Sequence, residues 1–167
     1  MEMKAEGGKV MRKRIIHQDT QRVSSSNQQW LNVEHLAQVE VSSEDTSHPI
    51  ESALIPSAGP GWRAAQPGQQ TIRLLFDEPQ NVRHMRLLFQ ENERERTQQF
   101  VLRWSSDGGQ SYREIVRQQY NFSPPRTTDE CEDYDVELEG VTALELIIVP
   151  DISGAPVCAS LAQLRLV

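Results

Sequence analysis

Apolar and polar residues alternate with a period of two through most of residues 71–119. Ile72, Leu74 and Phe76 share one face of Thr71–Asp77, with Thr71, Arg73 and Asp77 on the other. Val82–Gln90 sets Met85, Leu87 and Phe89 against His84, Arg86 and Gln90, and Gln98–Ser105 places Phe100, Leu102 and Trp104 together. Alternation of this length marks strands with one buried face. Asp107-Gly108-Gly109 then leads into Tyr112–Gln119. A glycine pair supplies the positive φ of a tight turn, so the last two runs form a hairpin.

The flanking segments extend the pattern. Trp30, Val33 and Leu36 sit at helical spacing, and Ala37, Val39 and Val41 then alternate, which predicts a short helical turn running into a strand. That register turns His35 inward as a structural histidine. Residues 44–70 carry Pro49, Pro56, Pro60 and Pro67 with Gly59, Gly61 and Gly68, and read as a long irregular connection. Its Ile50, Leu54, Ile55 and Trp62 argue that it packs rather than floats. Tyr120–Arg126 reads as a loop. Residues 129–133 form an acidic loop, leading to a strand with Tyr134, Val136 and Leu138 inward and Gly140 at its end. Thr142–Val149 is the most apolar strand. Pro150 ends it, and Cys158–Val167 closes the chain as a strand with a bulge at Ala162. About eight strands and little helix predict an all-β, single-domain β-sandwich of the jelly-roll type over residues 30–167, preceded by a basic, polar segment, residues 1–29. Ile15-Ile16 is its one candidate strand.

The 167 residues suit one domain, and a chain of that size buries enough surface to need no disulfide or metal. The net charge of −7 argues against a sequence-independent grip on nucleic acid. No apolar run is long enough to span a bilayer as a helix, and no apolar stretch follows the basic N-terminus, so a cytoplasmic protein is the expectation. Met1–Arg14 has five cations and two acids. Cys131 and Cys158 read as free thiols, with a disulfide the alternative in an oxidising compartment. The sequence has no GxSxG, P-loop, HExxH or GxGxxG pattern, and His17, His35, His48 and His84 are scattered. No enzyme is expected. A glycoside-acting carboxylate pair is the alternative that sequence cannot test.

These residues resemble the discoidin, or coagulation factor 5/8 type C, superfamily of galactose-binding-like jelly rolls, which includes many bacterial carbohydrate-binding modules. The resemblance rests on Pro49–Ala53, Gly61–Ala65, the Ile-x-Leu-x-Phe strand at 72–76, Phe100–Gly109 and the final Leu164-Arg165-Leu166, and covers about residues 33–167. It is more distant to the N-terminal domain of the X-ray repair cross-complementing scaffold, carried by Trp62–Ala65 and Gly68. The family often has Asp-Gly after the first-loop Ala, near a structural calcium. Leu54-Ile55-Pro56 stands there in this chain, so no cofactor or metal is expected.

The resemblance implies a non-catalytic, lectin-like module that binds carbohydrate through loops at one end. Sugar recognition needs an apolar ring face and planar polar groups for the hydroxyls. The matching loops 44–63, 91–97 and 120–126 offer Arg96, Arg94, Asn121, Tyr120, Phe122, His48 and Trp62. Each has a plainer role: Trp62 as a core plug, the arginines as partners of Glu91, Glu93 and Glu95, and one of Tyr120 and Phe122 as core. The acidic run 129–133 lacks the spacing of a calcium loop. The alternative class, following the repair scaffold, is an intracellular protein–protein interaction domain.

Overall fold

The computed structural model describes residues 30–167; Ile15-Ile16 and the basic segment lie outside the described residues. The elements are α1 (Val33–Leu36), β1 (Ala37–Val41), α2 (Glu51–Leu54), β2 (Trp62–Pro67), β3 (Gln70–Gln90), β4 (Arg96–Ser105), β5 (Arg113–Phe122), β6 (Asp129–Val149), β7 (Cys158–Leu161) and β8 (Gln163–Leu166).

Two long strands organise the sandwich. β3 and β6 pair antiparallel from Gln70↔Ile148 to Gln90↔Asp129, with register shifts between Leu75 and His84. Those shifts mark where the pair folds over, next to Gly140 at φ +71°. One half of the pair joins β1, β4 and β5 in the first layer, and the other half joins β8 in the second. The return is visible in contacts between layers. Phe89 and Phe100 meet at 5.1 Å between ring centroids, and Gln98 donates to Glu130 at 3.2 Å. The core lies between the layers. Ile72, Leu74, Phe100, Leu102, Leu144, Leu146 and Ile148 face Met85, Leu87, Phe89, Leu164 and Leu166, all buried. This is the all-β sandwich that the alternation predicts.

Several local expectations change. The runs at 71–77 and 82–90 are one bent strand, and the acidic run 129–133 is its partner strand rather than a loop. Pairing with β3 outweighs the repulsion of its acids because Glu130 and Glu132 turn inward while Asp133 and Asp135 point outward beside Arg86 and His84. β5 continues to Phe122, so Tyr120–Phe122 is strand rather than loop. The connection 44–70 contains α2 and β2, and β2 pairs with β7 despite its terminal proline. His35 is exposed beside Glu34 rather than turned inward. The break at Ala162 separates β7 from β8, and its N–H donates to Leu88 as the expected bulge requires. Cys131 is exposed, Cys158 is partly buried, and both are free thiols.

One charged row crosses the outer face of the first layer. Glu40, Arg73, Glu145 and Arg103 stand in register, with Glu145 buried and bound by Arg73 at 2.8 Å and by the guanidinium of Arg103. Alternating signs on neighbouring strands allow a carboxylate to sit in the middle of the most apolar strand.

Gly61 and Gly140 both have positive φ, but their surroundings differ. A Cβ on Gly61 would lie 2.7 Å from the Leu161 carbonyl oxygen, and one on Gly140 would meet nothing within 4 Å. Gly140→Ala should therefore cost only the backbone term, about 1–2 kcal/mol. Gly61→Ala should cost roughly 3 kcal/mol or more, because strain and clash add. Urea midpoints of the two variants check the ranking.

Candidate functional site

The fold-over returns Gln90 and Asp129 to the end where β3 begins and β6 finishes, and the loops 91–95, 123–128 and 150–157 gather there. Glu91 N–H donates to Thr128, Ile152 N–H to Thr97 and Gly68 N–H to Val157. Residues 43–48 reach the same end through Ser42 and Ser43, whose hydroxyls donate to Gln70 at 2.6 and 2.9 Å.

Arg96 is the centre of this end. Its side chain is 1% exposed. Nε donates to Glu91 at 2.6 Å and Nη1 to the Pro150 carbonyl at 2.7 Å and to Gln98 at 3.2 Å. The guanidinium lies over the Phe122 ring at 4.7 Å. Glu91 is fully engaged: its second oxygen accepts from the N–H groups of Glu93 and Arg94. Burial raises the Glu91 pKa, but these donors outweigh it and hold the carboxyl below its usual range. Arg96 thus binds β4, the 91–95 turn and the end of β6 into one unit.

The predicted site residues divide accordingly. Arg96, Phe122 (0% exposed) and Trp62 (1% exposed) are interior and present no face to a ligand. Trp62 plugs the long connection, and its indole N–H donates to Ser43 at 3.1 Å. Tyr120 is half-buried, stacked edge-on against Phe122, and its hydroxyl donates to Asp129. Arg94 and Asn121 are exposed at this end, and Asn121 accepts from the Thr97 hydroxyl at 2.6 Å. His48 is half-buried within the 44–61 connection, beside Asp45 and Ser47, and no contact joins it to Arg94 or Asn121. Sequence reasoning missed Ile152. It is the one large exposed hydrophobic among the described residues (49%), and its backbone N–H is held by the same Thr97 that binds Asn121. A lone apolar residue in a polar loop was its only signal.

It also missed a polar cluster inside the seam between β5 and the first half of β6. Glu130 is 1% exposed. Gln98 donates to its Oε1, while Oε2 has no protein partner; Gln118 donates to Glu132 at 3.3 Å. The Tyr134 hydroxyl is also buried without a partner. Burial pushes the Glu130 carboxyl up to about 8, and the charge of Glu132 and a hydrogen bond with it push the same way. Burial and the charges of Glu132 and Glu130 raise the Tyr134 phenol as well.

The calcium that the sequence resemblance raises does not fit the residues present. Leu54 is buried where the acid would stand, and the carbonyl of Ala53 already accepts from the buried guanidinium of Arg165 at 2.7 Å. Among the described residues no three acids, histidines or cysteines are grouped for a metal.

No protein-family profile matches the chain, and no curated protein matches its sequence. Solved structures do match. A family 32 carbohydrate-binding module from Clostridium perfringens, in complex with GalNAc-β-1,3-galactose, is 15% identical. The match covers 83% of this chain and 99% of that one, with a TM-score of 0.60. The family 32 module of C. perfringens NanJ, in complex with galactose, is 11% identical over 78% and 92%, TM-score 0.55. A chitosan-binding module from Paenibacillus sp. IK-5 is 15% identical over 82% and 98%, TM-score 0.57. The chain therefore has the β-sandwich fold of these modules.

The buried cluster gives a pH prediction. A carboxyl raised above its unfolded value of 4.5 binds a proton more tightly in the native state, so its contribution is complete below pH 4.5 and is lost as pH rises through about 8. His84, raised by its hydrogen bond to Asp135 and by Asp133, slopes the same way, so the test compares variants. Glu130→Gln should flatten the fall in stability between about pH 5 and 8 by roughly 1 kcal/mol per pH unit, measured by urea unfolding at several pH values.

Proposed function

We propose that the protein is a non-catalytic carbohydrate-binding module whose contact surface is the loop end built around Arg96. The observation that carries this reading is the likeness, over nearly their full length, to modules solved with sugars bound. The chemistry of the loop end supports it. Arg94 and Asn121 offer planar groups that pair with adjacent hydroxyls, and the Asn121 amide is oriented by Thr97 before any ligand arrives. Ile152 supplies apolar surface for the C–H face of a ring, in the place sequence reasoning gave to an aromatic, and Tyr120 flanks Asn121 on β5.

The roles of the candidates differ. Arg94 and Asn121 touch the sugar. Arg96, Phe122 and Trp62 hold the loops in place and act through them. The surface is shallow, so affinity is low and selectivity rests on a few hydrogen bonds, each worth about 1 kcal/mol net.

A glycan array of the purified protein identifies the sugar, and calorimetry with that sugar tests the residues. Arg94→Ala and Asn121→Ala should each weaken binding about five- to tenfold while leaving the melting temperature within about 2 °C. Arg96→Ala should instead lower stability by about 3–5 kcal/mol, because it strands Glu91 in the interior. Unchanged binding by folded Arg94→Ala and Asn121→Ala proteins would remove the loop end as the site.

A further inference from the structure

We propose that residues 9–16, in the basic segment before the sandwich, pair in cis along the free edge of β6 at residues 131–135. The inference is independent of the carbohydrate-binding reading.

The free edge follows from the direction of the backbone hydrogen bonds. In the second layer β3 lies between β8 and β6. His84 exchanges backbone hydrogen bonds with Val167, and Leu88 accepts from the Ala162 N–H, so these even-numbered residues bond toward β8. The odd-numbered ones bond toward β6, which makes Met85↔Tyr134 and Leu87↔Glu132 its hydrogen-bonded pairs. The N–H and C=O groups of Cys131, Asp133 and Asp135 therefore point away from β3. Among the described residues no strand pairs with them on that side, because β4 joins β6 only from Ala143 onward. An open row of backbone donors and acceptors is a template for one more strand.

The sign of the edge selects the strand. Asp129, Asp133, Asp135, Glu137 and Glu139 are all exposed on β6. Arg86 binds Asp133 at 2.8 Å, and His84 bonds to Asp133 and Asp135 at 2.9 and 2.7 Å. Among the described residues no ion pair reaches Asp129, Glu137 or Glu139. A second copy of this edge is disfavoured, because two-fold pairing sets like charges opposite each other. Residues 9–16 have the opposite sign, with Lys9, Arg12, Lys13 and Arg14 and no acid. Directly opposed residues share a face, so Arg12 and Arg14 would meet Asp133 and Asp135 on the outward side. In either strand direction that register sets Lys13 opposite Tyr134, next to Glu132.

The place where the described chain begins puts the segment within reach. The Arg86 guanidinium lies 5.4 Å from the centre of the Trp30 ring, and the His84 ring 6.2 Å from it. These are the two side chains that hold Asp133 and Asp135, so the chain enters the sandwich beside the free edge. The Leu31 N–H donates to Leu166 at 2.7 Å and fixes that entry. Fourteen steps separate Ile16 from Trp30, up to about 50 Å of extended chain. The edge from Cys131 to Asp135 is only about 13 Å long. Tethering at this distance gives the segment an effective concentration on the order of millimolar, so a weak pairing is enough.

Amide hydrogen exchange on the full chain, followed residue by residue, tests the inference. The N–H groups of Cys131, Asp133 and Asp135 should exchange at least about tenfold more slowly in the unaltered chain than in a variant carrying Arg12→Glu, Lys13→Glu and Arg14→Glu. Glu137→Lys with Glu139→Lys should also speed exchange at these amides, whereas Arg12→Lys with Arg14→Lys should leave it slow. Melting curves verify that each variant keeps the sandwich. Equal exchange in the unaltered chain and the triple variant would overturn the inference. So would slow exchange that is lost on dilution, which would assign the edge to a second copy of the chain.

Discussion

Arg96 carries a full positive charge into the interior of the sandwich, and the loop end is arranged around it. A guanidinium out of water is tolerable only if its donors are met. Here the Glu91 carboxylate, the Pro150 carbonyl, the Gln98 amide and the face of Phe122 meet them. Those partners come from the turn after β3, the end of β6, β4 itself and the end of β5. Satisfying one cation therefore fixes the relative position of four segments. Arg94 and Asn121 are held as consequences: the Arg94 amide by the carboxylate that Arg96 secures, and Asn121 next to Phe122.

That arrangement depends on the shape of β3 and β6. Each passes through both layers, and the fold-over brings the two ends of their ladder to one end of the molecule. The acidic start of β6 then packs against the β4–β5 edge, which makes the polar seam. The chain Glu91–Arg96–Gln98–Glu130 links the loop end to the seam by side-chain hydrogen bonds.

Most of the architecture was legible in the sequence, because one-sided burial writes a period of two that survives without any alignment. The Asp107-Gly108-Gly109 hairpin, the Ala162 break and the interior faces of residues 72–76, 85–89 and 100–104 follow from that pattern. Its limits are equally physical. Alternation does not report a bend, so one folded strand reads as two. Charge reads as exposure, so Arg96, Glu130 and Glu145 were invisible as interior groups until their partners, distant in sequence, came together. Proline and glycine hid β2, whose pairing with β7 is supplied by residues nearly a hundred positions away. Exposure of a loop side chain is set by tertiary packing. Arg94 and Arg96, two positions apart, therefore take opposite roles, and Trp62 and Phe122 face the core.

The most direct test of the account is a 1H–15N correlation spectrum recorded during titration with the sugar identified from the glycan array. The account predicts progressive shifts at the amides of Arg94, Asn121 and Ile152, with the Glu40–Arg73–Glu145 face unmoved. Shifts centred on that face, or none in a folded protein at saturating sugar, would contradict the placement of the site.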